Sequence, residues 1–209
     1  MISPDQPVLD SSAAGALERF EALLGPDVFF VPCEWGTKKP RITYTERPKE
    51  KNGSEAYRAL FEGANIAVYL GNVSGGLCAI DFDEEEKLAA FDAVNPLLRS
   101  RLRTRARRGA MVWLRIEGDF PESCSGPDFE WRADKRLSTI WGRHPTGMDY
   151  QVLVEAAPVV VRFEEVGRFA CVVNAGTQGK WHRKRIWEIA GHRKEKREPV
   201  KLVYKVRVG

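Results

Sequence analysis

The chain has 209 residues, 43% of them hydrophobic and 30% charged, with a formal net charge of +4; that balance argues against overall disorder and leaves room for one good core or two small lobes. The four cysteines at 33, 78, 124 and 171 show no Cys-x-x-Cys spacing, so neither a zinc site nor a disulfide framework is expected and a reducing compartment is. The opening Met-Ile-Ser-Pro-Asp-Gln-Pro has neither a basic start nor an apolar stretch, and no run approaches eighteen apolar residues, so a cytoplasmic protein without a membrane span is expected.

Residues 12 to 24 carry Leu17, Phe20, Leu23 and Leu24 at helical spacing and end at Gly25-Pro26, which predicts a helix and its stop. A short strand is expected at 27 to 31. The segment from 36 to 53 is polar, rich in Lys and Pro and without period, and reads as a loop; Ser54 then caps a helix through Phe61. Next come two buried strands in Asn65-Ile-Ala-Val-Tyr-Leu-Gly-Asn-Val-Ser-Gly-Gly-Leu-Cys-Ala-Ile-Asp-Phe-Asp83, joined by a glycine turn. Glu84 to Asn95 reads as an acidic-fronted helix with Leu88, Phe91 and Val94 on one side, and Pro96 helps to end it. Strands are expected at 101 to 106, 110 to 116, 129 to 133, 137 to 142 and 148 to 155, forming an antiparallel meander. A helix is expected again at 180 to 190 and a strand at 200 to 208, giving a core over 1–165 and a basic extension, helix plus strand, over 166–209.

Asp81 and Asp83 are the first candidate site. Residues two apart on a strand share a face, about 6.6 to 6.8 Å apart. Two carboxylates so close repel unless a proton or a metal neutralises them, and hard oxygen donors favour magnesium or manganese over zinc. The pair could equally close its strand as a polar turn. An acid at the carboxyl end of an apolar strand is, however, where α/β sheets place their sites. Glu130, between Phe129 and Trp131, would add a third carboxylate if its face meets the same edge, and it could instead pair with an arginine.

The positive charge is uneven. Six arginines lie between Arg101 and Arg115, and Lys180 to Gly209 holds eleven Lys/Arg against three Glu. Dense cations with Trp113, Trp131, Trp141, Trp181 and Trp187 in or beside them suit a polyanion whose bases can stack. Arg103, Arg105, Lys180, Arg183, Lys184 and Arg185 are the candidate nucleic-acid contacts.

The order Ala-Asn-Ile-Ala-Val…Gly-Gly-Leu…Ile-Asp-Phe-Asp, then the arginine-rich stretch 104 to 116, then Phe-Glu-Trp-Arg-Ala…Ser-Thr-Ile-Trp-Gly-Arg-His-Pro-Thr-Gly-Met-Asp-Tyr resembles the archaeo-eukaryotic primase superfamily. The closest likeness is to the bifunctional primase-polymerase domains of plasmids, phages and mobile elements, over roughly residues 15 to 165. The resemblance implies an α+β, primase-like core with a mixed, largely antiparallel sheet and flanking helices. It also implies DNA-directed nucleotidyl transfer by a two-metal mechanism, with Asp81 and Asp83 as the first motif and Glu130 as the third. Mg2+ or Mn2+ would be the cofactor, nucleoside triphosphates the substrates, and single-stranded or primed DNA the template. In the second motif Met111 stands where the family has a histidine, and methionine cannot donate to a phosphate. Lys38, Lys39, Arg107, Arg108, Arg143 and His144 are the candidate nucleotide-binding groups in its place. No Walker A loop is present, so a helicase, if one is needed, is a separate region or protein. Two other readings stay open: a non-catalytic nucleotide or single-stranded DNA-binding module of a replication protein, and a metal-dependent nuclease.

Overall fold

The computed structural model describes residues 12–45, 53–126 and 128–166. Its first helix, α1 (Ala13–Leu24), starts where the Ser12 side chain accepts from the Gly15 N–H and stops at Gly25. The strand β1 (Phe29–Glu34) follows, two residues later than its sequence suggests. Then come α2 (Glu55–Ala59), capped by Ser54, and β2 (Ala64–Tyr69). The glycine turn leads into β3 (Leu77–Phe82), α3 (Glu85–Val94) and the short α4 (Pro96–Arg99). The remaining strands are β4 (Arg103–Arg105), β5 (Ala110–Glu117), β6 (Cys124–Ser125), β7 (Glu130–Arg132), β8 (Leu137–Trp141), β9 (Gln151–Val154) and β10 (Val160–Arg162). The helix and strand expected at 180 to 190 and 200 to 208 lie outside the described residues.

The strands form two sheets, not a simple meander. One runs β1-β2-β8 and is antiparallel throughout; the other runs β6-β7-β3-β5-β4-β9, with β10 added in parallel beside the far half of β5. Thus β8 leaves its sequence neighbours to pair with β2, and β7 returns to flank β3. The fold is α+β with a mixed, largely antiparallel architecture, as the sequence leads one to expect.

Two apolar cores lie on opposite faces of the larger sheet. Leu77, Ala79 and Trp113 pack with α1 and with Phe30, Ile66 and Val68 of the smaller sheet. Cys78, Ile80, Phe82, Val112, Leu114 and Trp131 pack with Leu88 and Phe91 of α3. This is strand alternation working on both sides of β3 at once. Trp113 and Trp131 are therefore core residues, with their indole N–H groups donating to Thr104 Oγ1 at 2.9 Å and to the Pro121 carbonyl at 3.0 Å. Cys33 and Cys78 are buried free thiols. No helix among the described residues is long and apolar enough to cross a membrane.

Arg103, expected on a nucleic-acid face, is buried instead. Its side chain donates to both carboxylate oxygens of Asp92 on α3, at 2.8 Å through Nη1. A charge taken out of water needs a counter-charge, and removing one partner leaves the other uncompensated. Asp92→Ala should therefore lower unfolding free energy by about 3–5 kcal/mol, measured by urea denaturation. An equal substitution at exposed Asp149 should cost far less.

Candidate functional site

Asp81 is the fifth residue of β3. Counting back from it, Ala79 and Leu77 face the core shared with the smaller sheet, so Asp81 faces that side too. Across the ladder it stands directly opposite Glu130 of β7 on one flank and Met111 of β5 on the other; Met111 is in turn opposite Thr104 of β4. Directly opposed residues of an antiparallel pair share a face with Cβ atoms about 4.5–5.5 Å apart. The ladder therefore forms a row Glu130, Asp81, Met111, Thr104.

Asp83 lies one residue past the end of β3 at Phe82, where α3 is about to begin, and its charge still reaches Asp81. Among the described residues no group of three or more His, Cys, Asp or Glu is gathered closely enough to hold a metal ion. Asp81 and Glu130 stand side by side across the ladder, and Asp83 follows one residue past the strand end. The donors that remain are all carboxylate oxygens, which suit magnesium or manganese.

Burial raises the Asp81 carboxyl above its ordinary value; the guanidinium of Arg132 lowers it, and Asp83 and Glu130 add to the rise. Arg132 lies two residues along β7 from Glu130, with its Nε 3.1 Å from Glu130 Oε2 and its Nη1 donating to Ser138 Oγ at 3.0 Å. It is the counter-charge for both acids. Its position in Glu-x-Arg on a strand was a signal for this, since alternation puts the two side chains on one face. Asp81 and Arg132 open into a cleft lined also by Lys38, Arg108, Met111 and Tyr150. Tyr150 is partly buried, which raises its phenol, while a hydrogen bond with Thr139 acts the other way. Neither Arg132 nor Tyr150 was among the expected site residues.

Cations surround the mouth of this cleft. Arg107 and Arg108 are exposed on the loop between β4 and β5, and among the described residues neither makes a hydrogen bond or an ion pair. That loop is drawn over the end of β3: at Gly109, φ is +64° and a Cβ would meet the Phe82 carbonyl oxygen at 1.8 Å, so only glycine fits. His144 is held by its own turn. Its Nδ1 accepts the Thr146 N–H at 3.2 Å and lies 2.8 Å from Thr146 Oγ1, so the neutral ring carries its proton on Nε2. Burial lowers its pKa, and the positive charges of Lys38 and Arg107 lower it further.

The other cations expected here are committed elsewhere. Lys39 pairs with Glu34 at 2.8 Å and Arg143 with Asp149 at 3.0 Å. Arg105 donates to the Gly109 carbonyl at 2.6 Å and to Glu85, and so braces the hairpin loop. Lys180, Arg183, Lys184 and Arg185 lie outside the described residues.

Asn65, at the start of β2, joins the two loops that carry Lys38 and His144. It is fully buried. Its Nδ2 donates to the carbonyls of Thr37 at 2.8 Å and Arg143 at 2.7 Å, and its Oδ1 accepts the Arg143 N–H at 2.8 Å. Gly142 passes so close that a Cβ there would sit 2.1 Å from Asn65 Oδ1.

The raised pKa of Asp81 has a sign that can be tested. An acid whose folded-state pKa lies above its unfolded value stabilises the fold below the unfolded pKa, and this contribution is lost as pH rises through the folded pKa. At neutral pH ionised Asp81 is thus a stability cost. Asp81→Asn should raise Tm at pH 7, and the difference should shrink as pH falls toward the ordinary aspartate value of 3.8. A lower Tm at pH 7 would contradict the assigned burial.

A family model described as the N-terminal domain of bifunctional DNA primase/polymerase matches residues 22–162. No curated protein matches the chain. The match runs from the last turn of α1 through β10, including the Glu130, Asp81, Met111 row and the His144 turn. By that coverage the chain belongs to the bifunctional DNA primase/polymerase family.

Proposed function

We propose that the chain performs template-directed nucleotidyl transfer on DNA, with Asp81 and Glu130, assisted by Asp83, as the ligands of Mg2+ or Mn2+. Lys38, Arg107, Arg108 and His144 receive the nucleotide's triphosphate. What carries this reading is the adjacency of a half-buried acid pair to Lys38, Arg107 and Arg108, which make no hydrogen bond or ion pair among the described residues. A nuclease needs the acids and not the cations; a nucleoside triphosphate needs both. When bound, the divalent ion would activate the attacking hydroxyl and neutralise charge on the transferring phosphoryl group.

The chain's own groups have distinct parts. Arg107 and Arg108 present guanidinium forks to phosphate oxygens, and His144 offers the Nε2 proton, its ring held by Thr146. Arg132 keeps Glu130 in place and moderates the repulsion between Glu130 and Asp81. Lys39 and Arg143 act only through their fields, since each already has a carboxylate. The setting that goes with this reading is replication of a mobile element or phage with a separate helicase.

One observation favours a binding-only module. Met111, beside Asp81, puts a thioether where a donor would be useful. The rival readings part on primer-extension and de novo synthesis assays with labelled nucleotides and either ion. Product that vanishes in the Asp81→Ala, Asp83→Ala double variant, with the fold retained by circular dichroism, supports the polymerase reading. No product with either ion supports the binding module, and primer degradation without nucleotides supports a nuclease. His144→Ala should weaken nucleotide use about ten- to a hundred-fold, the loss of one charged hydrogen bond, while Met111→His should change it little.

A further inference from the structure

Two loops meet beside the cleft, and each carries one tryptophan and one cation. The first, residues 35–38, is closed by the Glu34 N–H donating to the Lys39 carbonyl at 2.8 Å and the Thr37 N–H donating to the Glu34 carbonyl at 3.0 Å. It holds Trp35 and Lys38. The second leaves β8 at Trp141 and leads through Gly142 and Arg143 to His144. Asn65 ties the two backbones together, and the indoles meet edge to face, with centroids 5.8 Å apart at 60°.

Trp35 is 47% exposed and is the only aromatic among the exposed large hydrophobics of the described residues. An indole costs solvation free energy when left in water, and this one is fixed in place by a second ring and a pinned loop. Neither indole lines the cleft beside Asp81. A base received by Trp35 therefore lies outside the pocket that would take a nucleotide, on the path of a strand crossing the cleft's mouth.

We propose that the exposed face of Trp35, backed by Trp141, is a stacking platform for an unpaired base of single-stranded DNA. Every base has a π-face, so such a platform adds affinity without sequence choice, and a ring already immobilised loses little entropy on stacking. The inference rests on the reading of the chain as a DNA-acting enzyme.

The test uses the full chain and anisotropy of two dye-labelled oligomers of equal length, one of thymidylates and one of abasic sugar-phosphate. Wild type should prefer the thymidylate oligomer about five- to a hundred-fold, the effect of one base–aromatic stack. Trp35→Ala should erase that preference while leaving the salt slope of binding and the affinity for free nucleoside triphosphate unchanged; Trp35→Phe should keep most of it. Equal wild-type affinity for both oligomers overturns the platform, and so does a Trp35→Ala variant that keeps the preference. A Trp35→Ala variant that loses nucleotide affinity places the indole on the incoming nucleotide and also overturns it. Failure of wild type to bind either oligomer counts against DNA action itself, a different result from loss of the platform alone. If Trp35→Ala does not fold, wild type with the two oligomers and Trp35→Phe still decide the question.

Discussion

β3 is covered on both faces, and that constraint decides where Asp81 can point. Leu77 and Ala79 belong to one core and Cys78, Ile80 and Phe82 to the other, so a one-residue slip would turn every one of these side chains to the wrong side. Asp81 inherits the direction of Ala79. Its neighbours across the ladder, Glu130 and Met111, are then fixed by register and not by any attraction between the acids. The carboxylate pair is thus imposed by apolar packing, and Arg132 makes it tolerable. A site whose charges repel gains from being positioned by forces that do not depend on those charges.

The cation rim is held differently. Lys38 and His144 belong to loops from different strands of the smaller sheet, and the one apolar contact between those loops is Trp35 against Trp141. Asn65 ties their backbones through three hydrogen bonds that leave none of its polar atoms idle. A buried amide satisfied in this way specifies one arrangement, because any shift of either loop strands a donor or acceptor away from water. The acids stand on strands and the cations on loops, with Asn65 bridging the loops of Lys38 and His144 and Arg105 bracing that of Arg107 and Arg108.

Much of the fold was legible because the elements announce themselves: Ser12 and Ser54 cap, Gly25 stops, and the apolar periods of α1, β2 and β3 are clear. The partition into two sheets was not, since nothing local to Leu137–Trp141 says that it pairs with β2 and not with β7. The short α4, β6 and β10 gave too few residues for a period. At the site, Asp81, Asp83 and Glu130 could be singled out from their strands, but the register that sets Glu130 opposite Asp81 has no local signal. The arginines at alternate positions looked like one basic face, whereas Arg103 turns inward to Asp92 and Arg105 to Glu85 and Gly109, while the loop residues Arg107 and Arg108 are exposed. Asn65 was invisible as a bridge because both its partners are main-chain groups, at Thr37 and at Arg143 far along the sequence. Trp35 drew no notice for the same reason: exposure and the contact with Trp141 are tertiary facts.

The late arrival of β8 bears on how the protein is made. β2 is the central strand of its sheet, with Ile66, Ala67 and Val68 all fully buried, yet one of its two edges has no partner until Leu137–Trp141 leaves the ribosome. α1 likewise waits for Glu155, which pairs with Arg19 across 136 residues. During synthesis an apolar strand edge is therefore open while more than sixty residues are added, a template for pairing with another nascent chain. Fragments that end before β8 would keep that edge permanently, which makes the region between β7 and β8 a poor place to cut the chain for expression.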